Sequence, residues 1–180
     1  MLFFLFIPGT LAAALVFSRR LRGGLFYATA LSLNWLFGAI SYFLLPSLGP
    51  IYVQPGDFTA VAGTDAGRLQ QVLLEQRTEF LHDPMLGTAQ SIGAFASLHV
   101  SIFVTAALAA HLLGLRRSVK VLAWILVGLT VGATIHLGWH YVADDFGGVA
   151  IALMSVALAR LLTGVDLGQE RRAEPAGEPA

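Results

Sequence analysis

Apolar residues gather in five stretches, at about 2–17, 24–45, 92–115, 121–139 and 146–165, with basic or turn-forming residues between them. A helix needs roughly 20 apolar residues to cross a hydrocarbon core about 30 Å thick. The pattern therefore predicts an all-α, polytopic membrane bundle of about five transmembrane helices. The first stretch is the shortest, and Pro8-Gly9 is placed to kink it. Its basic residues (Arg19, Arg20, Arg22) follow the apolar run instead of preceding it, the wrong order for a cleaved signal peptide.

One interval is long and polar. Pro46-Ser47-Leu48-Gly49-Pro50 and Pro55-Gly56-Asp57 read as turns. From about Asp65 to His82, Leu69, Val72, Leu73 and Phe80 recur at helical spacing among Arg68, Glu75, Gln76 and Glu79. This predicts an amphipathic helix, capped by Thr64 or Asp65 and lying on the membrane surface as a cover for apolar helix ends or a guide for lipid. Residues 166–180, rich in Glu, Arg, Pro, Ala and Gly, lack the apolar content to fold alone and are expected to be disordered. The chain thus divides into one membrane domain, 1–165, and a cytoplasmic tail, 166–180.

Composition sharpens this picture. The chain is 56% hydrophobic and 12% charged, against about 25% charged in a soluble domain. Formal net charge is zero, which argues against nucleic acid as a partner. There are no cysteines, so disulfides, thiolate metal sites and cysteine nucleophiles are excluded. The positive residues fall in three groups: Arg19, Arg20 and Arg22; Arg116, Arg117 and Lys120; and Arg160 with Arg171 and Arg172. Five alternating crossings place all three on the cytoplasmic side of the plasma (inner) membrane. The 46–91 loop and the 140–145 turn then face outward, as does Met1, which a missing first helix would explain.

Ionisable residues at a membrane boundary are costly to keep and point to function. Two such places stand out: His99, in Phe95-Ala96-Ser97-Leu98-His99, and the run His136-Leu137-Gly138-Trp139-His140-Tyr141-Val142-Ala143-Asp144-Asp145. On a continuous helix His136, His140 and Asp144 would share a face. A carboxylate on one imidazole nitrogen of His140 would leave the other free as nucleophile or base, with His99 as acid and base across the pocket. His136, one turn deeper, reads as a packed polar residue, and Asn34 as a bond to a neighbouring helix. Asp144 could cap the last helix; Asp145 is the better candidate for capping alone. A zinc site from His99, His136, His140 and Asp144 is the rival constellation, but i, i+4 and i+8 span about 12 Å along a helix, too far for one ion.

The segments Phe95-Ala96-Ser97-Leu98-His99 and Gly138-Trp139-His140-Tyr141-Val142-Ala143-Asp144, the latter followed by Gly147-Gly148, resemble two signatures of the type-2 phosphatidic acid phosphatase and haloperoxidase superfamily. Their flavour is similar to the branch containing inositol phosphorylceramide synthase, and the resemblance covers about residues 40–163. It implies a metal-independent lipid phosphatase or inositolphosphotransferase-like enzyme without a cofactor. Its substrate would be a membrane lipid phosphate, with an alcohol or inositol-containing co-substrate in the transfer case. His140 is then the nucleophile, Asp144 its orienting partner, His99 the acid/base, and Ser97 a phosphate contact. Two departures stand out. Ala96 replaces the usual proline, and the family's arginine signature is missing, with Ala133-Thr134 where many members carry Ser-Arg. Arg68 and Arg77 remain as outward-facing cations for phosphate, together with backbone amides at a helix N-terminus. The competing reading is a non-enzymatic membrane protein, such as a small transporter or assembly subunit. A transporter should carry polar residues near mid-membrane on several helices; Asn34 is nearly alone there.

The charge pattern makes a direct prediction. In this cysteine-free chain a cysteine at Gln76 should react with an impermeant thiol reagent in intact cells, and one at Ser118 should not. Labelling in the opposite sense would turn the 46–91 loop to the cytoplasm.

Overall fold

The computed structural model describes residues 6–7, 9–10, 21–83 and 93–165. Every regular element among them is helical, as expected. Helix α1 (Leu21–Leu44) is apolar on all sides and stops just before Pro46, which disfavours helical backbone in the residue preceding it. The long interval then folds into short pieces: α2 (Pro50–Val53), a 3-10 turn (Pro55–Phe58) and α3 (Thr59–Ala62). Helix α4 (Asp65–His82) follows, with Thr64 as its N-cap and the Thr64 hydroxyl accepting from Gly67 N–H at 3.2 Å. These bounds agree with those predicted from spacing. Three further apolar helices complete the chain: α5 (Leu98–Leu112), α6 (Arg117–His136) and α7 (Val142–Thr163).

Helices α1, α6 and α7 are long and apolar enough to cross a membrane. At 15 residues, α5 is shorter than the apolar stretch that predicted it, because residues 93–97 are non-helical and build the site described below. Much of the expected first helix and the whole tail, 166–180, lie outside the described residues. Of the first stretch, Phe6, Ile7, Gly9 and Thr10 are helical. The Phe6 ring lies 4.1 Å from that of Phe103, and Tyr27 donates to the Thr10 hydroxyl at 3.0 Å.

Helix α5 is the centre of the bundle. It packs against α1, α6 and α7, and Val100, Ile102, Val104, Ala107 and Ala110 are buried within it. Helix α6 is peripheral: 6% of its span is buried, against 44% for α1. Polar contacts hold α1 to α5. Asn34, fully buried, donates to the Thr105 hydroxyl at 3.0 Å and to its own helix at Ala30 O, and it accepts from Ser101. The expected interhelical role of Asn34 is therefore realised. Bonds of this kind contribute about 0.6 kcal/mol each in a membrane, with a maximum near 1.7.

The helices alternate in direction, so the end of α1, the starts of α5 and α7 and the end of α6 share one end of the bundle. Arg22, Arg116, Arg117, Lys120 and Arg160 belong to the other. At the shared end, glycines set the spacing. A Cβ on Gly148 would collide with the Ser97 carbonyl oxygen, and one on Gly147 would lie 2.7 Å from the Ala96 Cβ. Gly148→Ala should cost about 1–3 kcal/mol through overpacking, read as a lower unfolding midpoint in detergent. Gly128→Ala, which meets open space on α6, should be neutral or slightly stabilising. Equal midpoints for the two variants would remove the close approach of α7 to residues 96–97.

Candidate active site

The non-helical segment 93–97 is held by four backbone donors, each with a partner. Ala94 N–H donates to Ser47 O at 3.0 Å and Phe95 N–H to the Ser47 hydroxyl at 2.9 Å. Ala96 N–H donates to the Ser41 hydroxyl at 3.1 Å, and Ser97 N–H to Asp144 O at 2.9 Å. The segment is thereby tied to the end of α1, to the turn after it, and to the start of α7. Ser97 also caps α5, its hydroxyl accepting from Val100 N–H. With the segment fixed in this way, the Ala94 carbonyl points at an imidazole.

That imidazole is His140. It does not continue α6, as an i, i+4, i+8 face would require. Helix α6 ends at His136, and Gly138 takes a left-handed conformation at φ +71°, which a side chain would strain. His140 therefore lies in the turn before α7, with Trp139 N–H and His140 N–H both directed at Thr134 O. The turn is pinned by neighbours: Ile51 N–H donates to Gly138 O at 3.1 Å, and the Gln70 side-chain amide of α4 donates to Leu137 O at 2.8 Å. His136 is left exposed at the end of α6, which corrects both its place on a shared face and its expected packing.

His140 is 3% exposed. Its Nδ1 lies 2.8 Å from Ala94 O, and its Nε2 lies 3.2 Å from His99 Nδ1. A carbonyl only accepts, so His140 Nδ1 carries the hydrogen and Nε2 presents its lone pair. The hydrogen of the central pair then belongs to His99 Nδ1. The second histidine comes from the first turn of α5, half-buried, with Trp139 6.4 Å away between ring centres.

Asp144 sits differently from its expected role. Its Oδ2 accepts from Tyr141 N–H at 2.7 Å and so caps α7, while its distance to His140 Nδ1 is 3.8 Å. The carboxylate is near enough to act on the imidazole through charge; the hydrogen bond that orients the ring comes from Ala94. Capping falls to Asp144 and not to Asp145. Of the two expected phosphate cations, Arg68 is exposed and paired with Asp65 at 3.4 Å, and Arg77 is half-buried further along α4. Among the described residues neither is joined to His99 or His140 by a hydrogen bond or ion pair. Nor do three His, Asp or Glu side chains gather there at metal-ligand spacing.

Sequence reasoning missed Ala94, Ser41 and Ser47. The carbonyl of Ala94 carries no signal in the sequence, since every residue has one. Ser47 stood inside a recognised turn, but nothing there announced that it would hold residues 94 and 95.

These helices, meeting around a buried and a half-buried histidine with one lone pair and one proton facing each other, define an integral membrane protein with a paired-histidine candidate site. The chain belongs to the PAP2 superfamily, whose family model matches residues 2–158. Membership suggests a lipid enzyme of the phosphatase or phosphotransferase type. No curated protein and no solved structure matches the chain.

Burial pushes the His140 pKa down to about 4, against a smaller upward pull from the Ala94 carbonyl. The folded value is below the ordinary 6.5 of an unfolded histidine, so protons favour the unfolded chain. Stability from this site is full above pH 6.5 and falls as pH drops toward 4. At pH 5.5 roughly 97% of His140 should stay neutral, against roughly 9% of an unperturbed histidine. Nitrogen-15 NMR of histidine-labelled protein, assigned with His140→Asn, should show an unprotonated Nε2 at pH 5.5. An imidazolium at that pH would mean that the site is solvated.

Proposed function

We propose that this protein cleaves the phosphoryl-containing head group of a membrane lipid through a phosphohistidine, as a lipid phosphatase or as an inositolphosphotransferase-like enzyme. The observation that carries this reading is the 3.2 Å contact between His99 Nδ1 and His140 Nε2, with the other nitrogen of His140 fixed by Ala94. His99 takes up a second proton from solvent on Nε2 as the anionic phosphoryl group arrives; His140 Nε2 then attacks phosphorus, the bond from phosphorus to the leaving oxygen breaks, and His99 gives that oxygen its Nδ1 proton and is left neutral. In the second half His99 takes a proton from water, or from an alcohol or inositol-containing acceptor. The new oxygen attacks phosphorus, the P–N bond breaks, and both histidines return to their starting state. No step needs a metal or a cofactor.

Distances define how substrate is received. A nucleophile needs about 3–3.5 Å to phosphorus, and a proton donor a further hydrogen bond of about 2.8 Å to the leaving oxygen. Both cannot fit within 3.2 Å. The pair is a resting state, in which the phosphoryl group must part the two rings and take over the hydrogen that His99 directs at Nε2. As His140 becomes positively charged, Asp144 at 3.8 Å favours it by about 4 kcal/mol at an effective dielectric constant of about 20, before desolvation. Ser97, Arg68 and Arg77 are the proposed phosphate contacts, the arginines reaching substrate from α4. By the positive-inside pattern the site opens outward from the plasma membrane.

Purified protein, assayed in excess EDTA against a panel of lipid phosphomonoesters and phosphodiesters with and without inositol, tests the proposal. Release should survive the chelator. His140→Ala should abolish turnover, and His99→Ala should lower it by about 10²–10⁴-fold. Arg77→Gln should act mainly on KM, and His136→Ala should be mild. Near-normal turnover in His140→Ala at unchanged abundance would end this mechanism, and EDTA inhibition reversed by zinc would replace it with metal chemistry. Release that requires inositol would assign transfer over hydrolysis.

A further inference from the structure

At the opposite end of the bundle lies a second concavity of about 500 Å³, lined by His111 of α5 and by Arg117, Lys120, Val121, Trp124 and Ile125 of α6. Arg117, Lys120, Val121 and Trp124 follow i, i+3, i+4, i+7 spacing and so share one helix face. The two cations have no neighbours of opposite sign nearby in the chain: no Asp or Glu occurs between Asp83 and Asp144. Neither enters an ion pair among the described residues. Trp124 Nε1 donates to His111 Nε2 at 3.0 Å, so the neutral imidazole keeps its hydrogen on Nδ1 as a further donor. One turn deeper the lining becomes apolar, with Val121 50% and Ile125 52% exposed on a helix that buries little of its surface.

We infer that this concavity binds an anionic phospholipid of the leaflet on its own side. The phosphate sits at Arg117 and Lys120, and an acyl chain runs down Val121 and Ile125 beside the Trp124 ring. Cations above an exposed apolar floor match an anionic amphiphile. A free phosphate would leave the floor unused, and so would the acidic residues of the 166–180 tail. The site is separate from the histidine pair and does not depend on the reaction assigned to it.

Delipidated full-length protein, titrated in detergent and read by native mass spectrometry, tests the inference. Dihexanoyl phosphatidylglycerol should bind at least roughly tenfold more tightly than dihexanoyl phosphatidylcholine, given the attraction of two basic residues to anionic lipid. In Arg117→Gln/Lys120→Gln that preference should fall to near unity, with the unfolding midpoint unchanged. Lys120→Gln alone, a milder surface change, should lose part of it and serves if the double variant does not fold. Equal affinity for the two lipids, or a preference that survives in the variants, would overturn the proposal. Displacement of phosphatidylglycerol by an equal concentration of inorganic phosphate would also overturn it, in favour of a free-anion pocket. A tenfold gain in lipid affinity on removal of residues 166–180 would assign the concavity to the acidic tail instead.

Discussion

The hydrogen bond from Ser97 N–H to Asp144 O, 2.9 Å long, joins the starts of α5 and α7, and the geometry of the site depends on that junction. Two helices can begin side by side only where their backbones approach closely, and Gly147 and Gly148 permit this against Ala96 and Ser97. Once α5 starts there, the non-helical residues before it need partners for their backbone donors, and Ser41 and Ser47 meet that demand from the end of α1 and the turn beyond it. The Ala94 carbonyl then has its direction set by bonds on both sides. A buried imidazole in hydrogen-bond contact with that carbonyl has one available tautomer, and its free nitrogen faces His99.

Burial does a second thing to this pair. It keeps His140 uncharged over the physiological range, which is the state a nucleophilic nitrogen needs. The same burial raises the cost of any positive charge that forms during reaction, and Asp144, held to Tyr141 N–H by the α7 cap, is the nearby carboxylate that can offset it. One side chain thus serves the helix end and the imidazole together. The cap stabilises the start of α7 whether or not the site turns over, so loss of Asp144 carries a structural cost as well as a chemical one.

Charge is distributed unevenly along the bundle. The end that holds the histidines also holds the buried carboxylates of Asp144 and Asp145, with Arg68 exposed and paired with Asp65. The opposite end concentrates Arg116, Arg117 and Lys120 where no acidic residue is near in sequence. Between them the described interior is largely apolar; Asn34, Ser101 and Thr105 form a cluster whose groups satisfy one another, and Ser155 of α7 is buried apart from it. A membrane interior cannot supply water to unpaired polar atoms, so such clusters are kept together and small.

The all-α class, the apolar spans of α1, α6 and α7, the Asp65–His82 helix with its Thr64 cap, and the two histidine-bearing motifs were legible in the chain because each rests on local chemistry. Hydropathy over a window, helical spacing in a loop, a capping side chain and a family-like motif are all properties of residues close in sequence. The bounds of α5, the break between His136 and His140, and the exposure of His136 were not legible, because periodicity continues through a turn that Gly138 reverses by backbone conformation alone. The partner of His140 was unreadable for a more general reason. A carboxylate four residues away is visible in a sequence, but the carbonyl of Ala94, 46 positions earlier, becomes a hydrogen-bond acceptor for this ring only when α1, α5 and α7 are packed. The sequence by itself marked His99 and His140 as the candidate side chains. Tertiary structure decided which nitrogen is free, because that depends on a backbone atom whose direction is set by contacts distant along the chain.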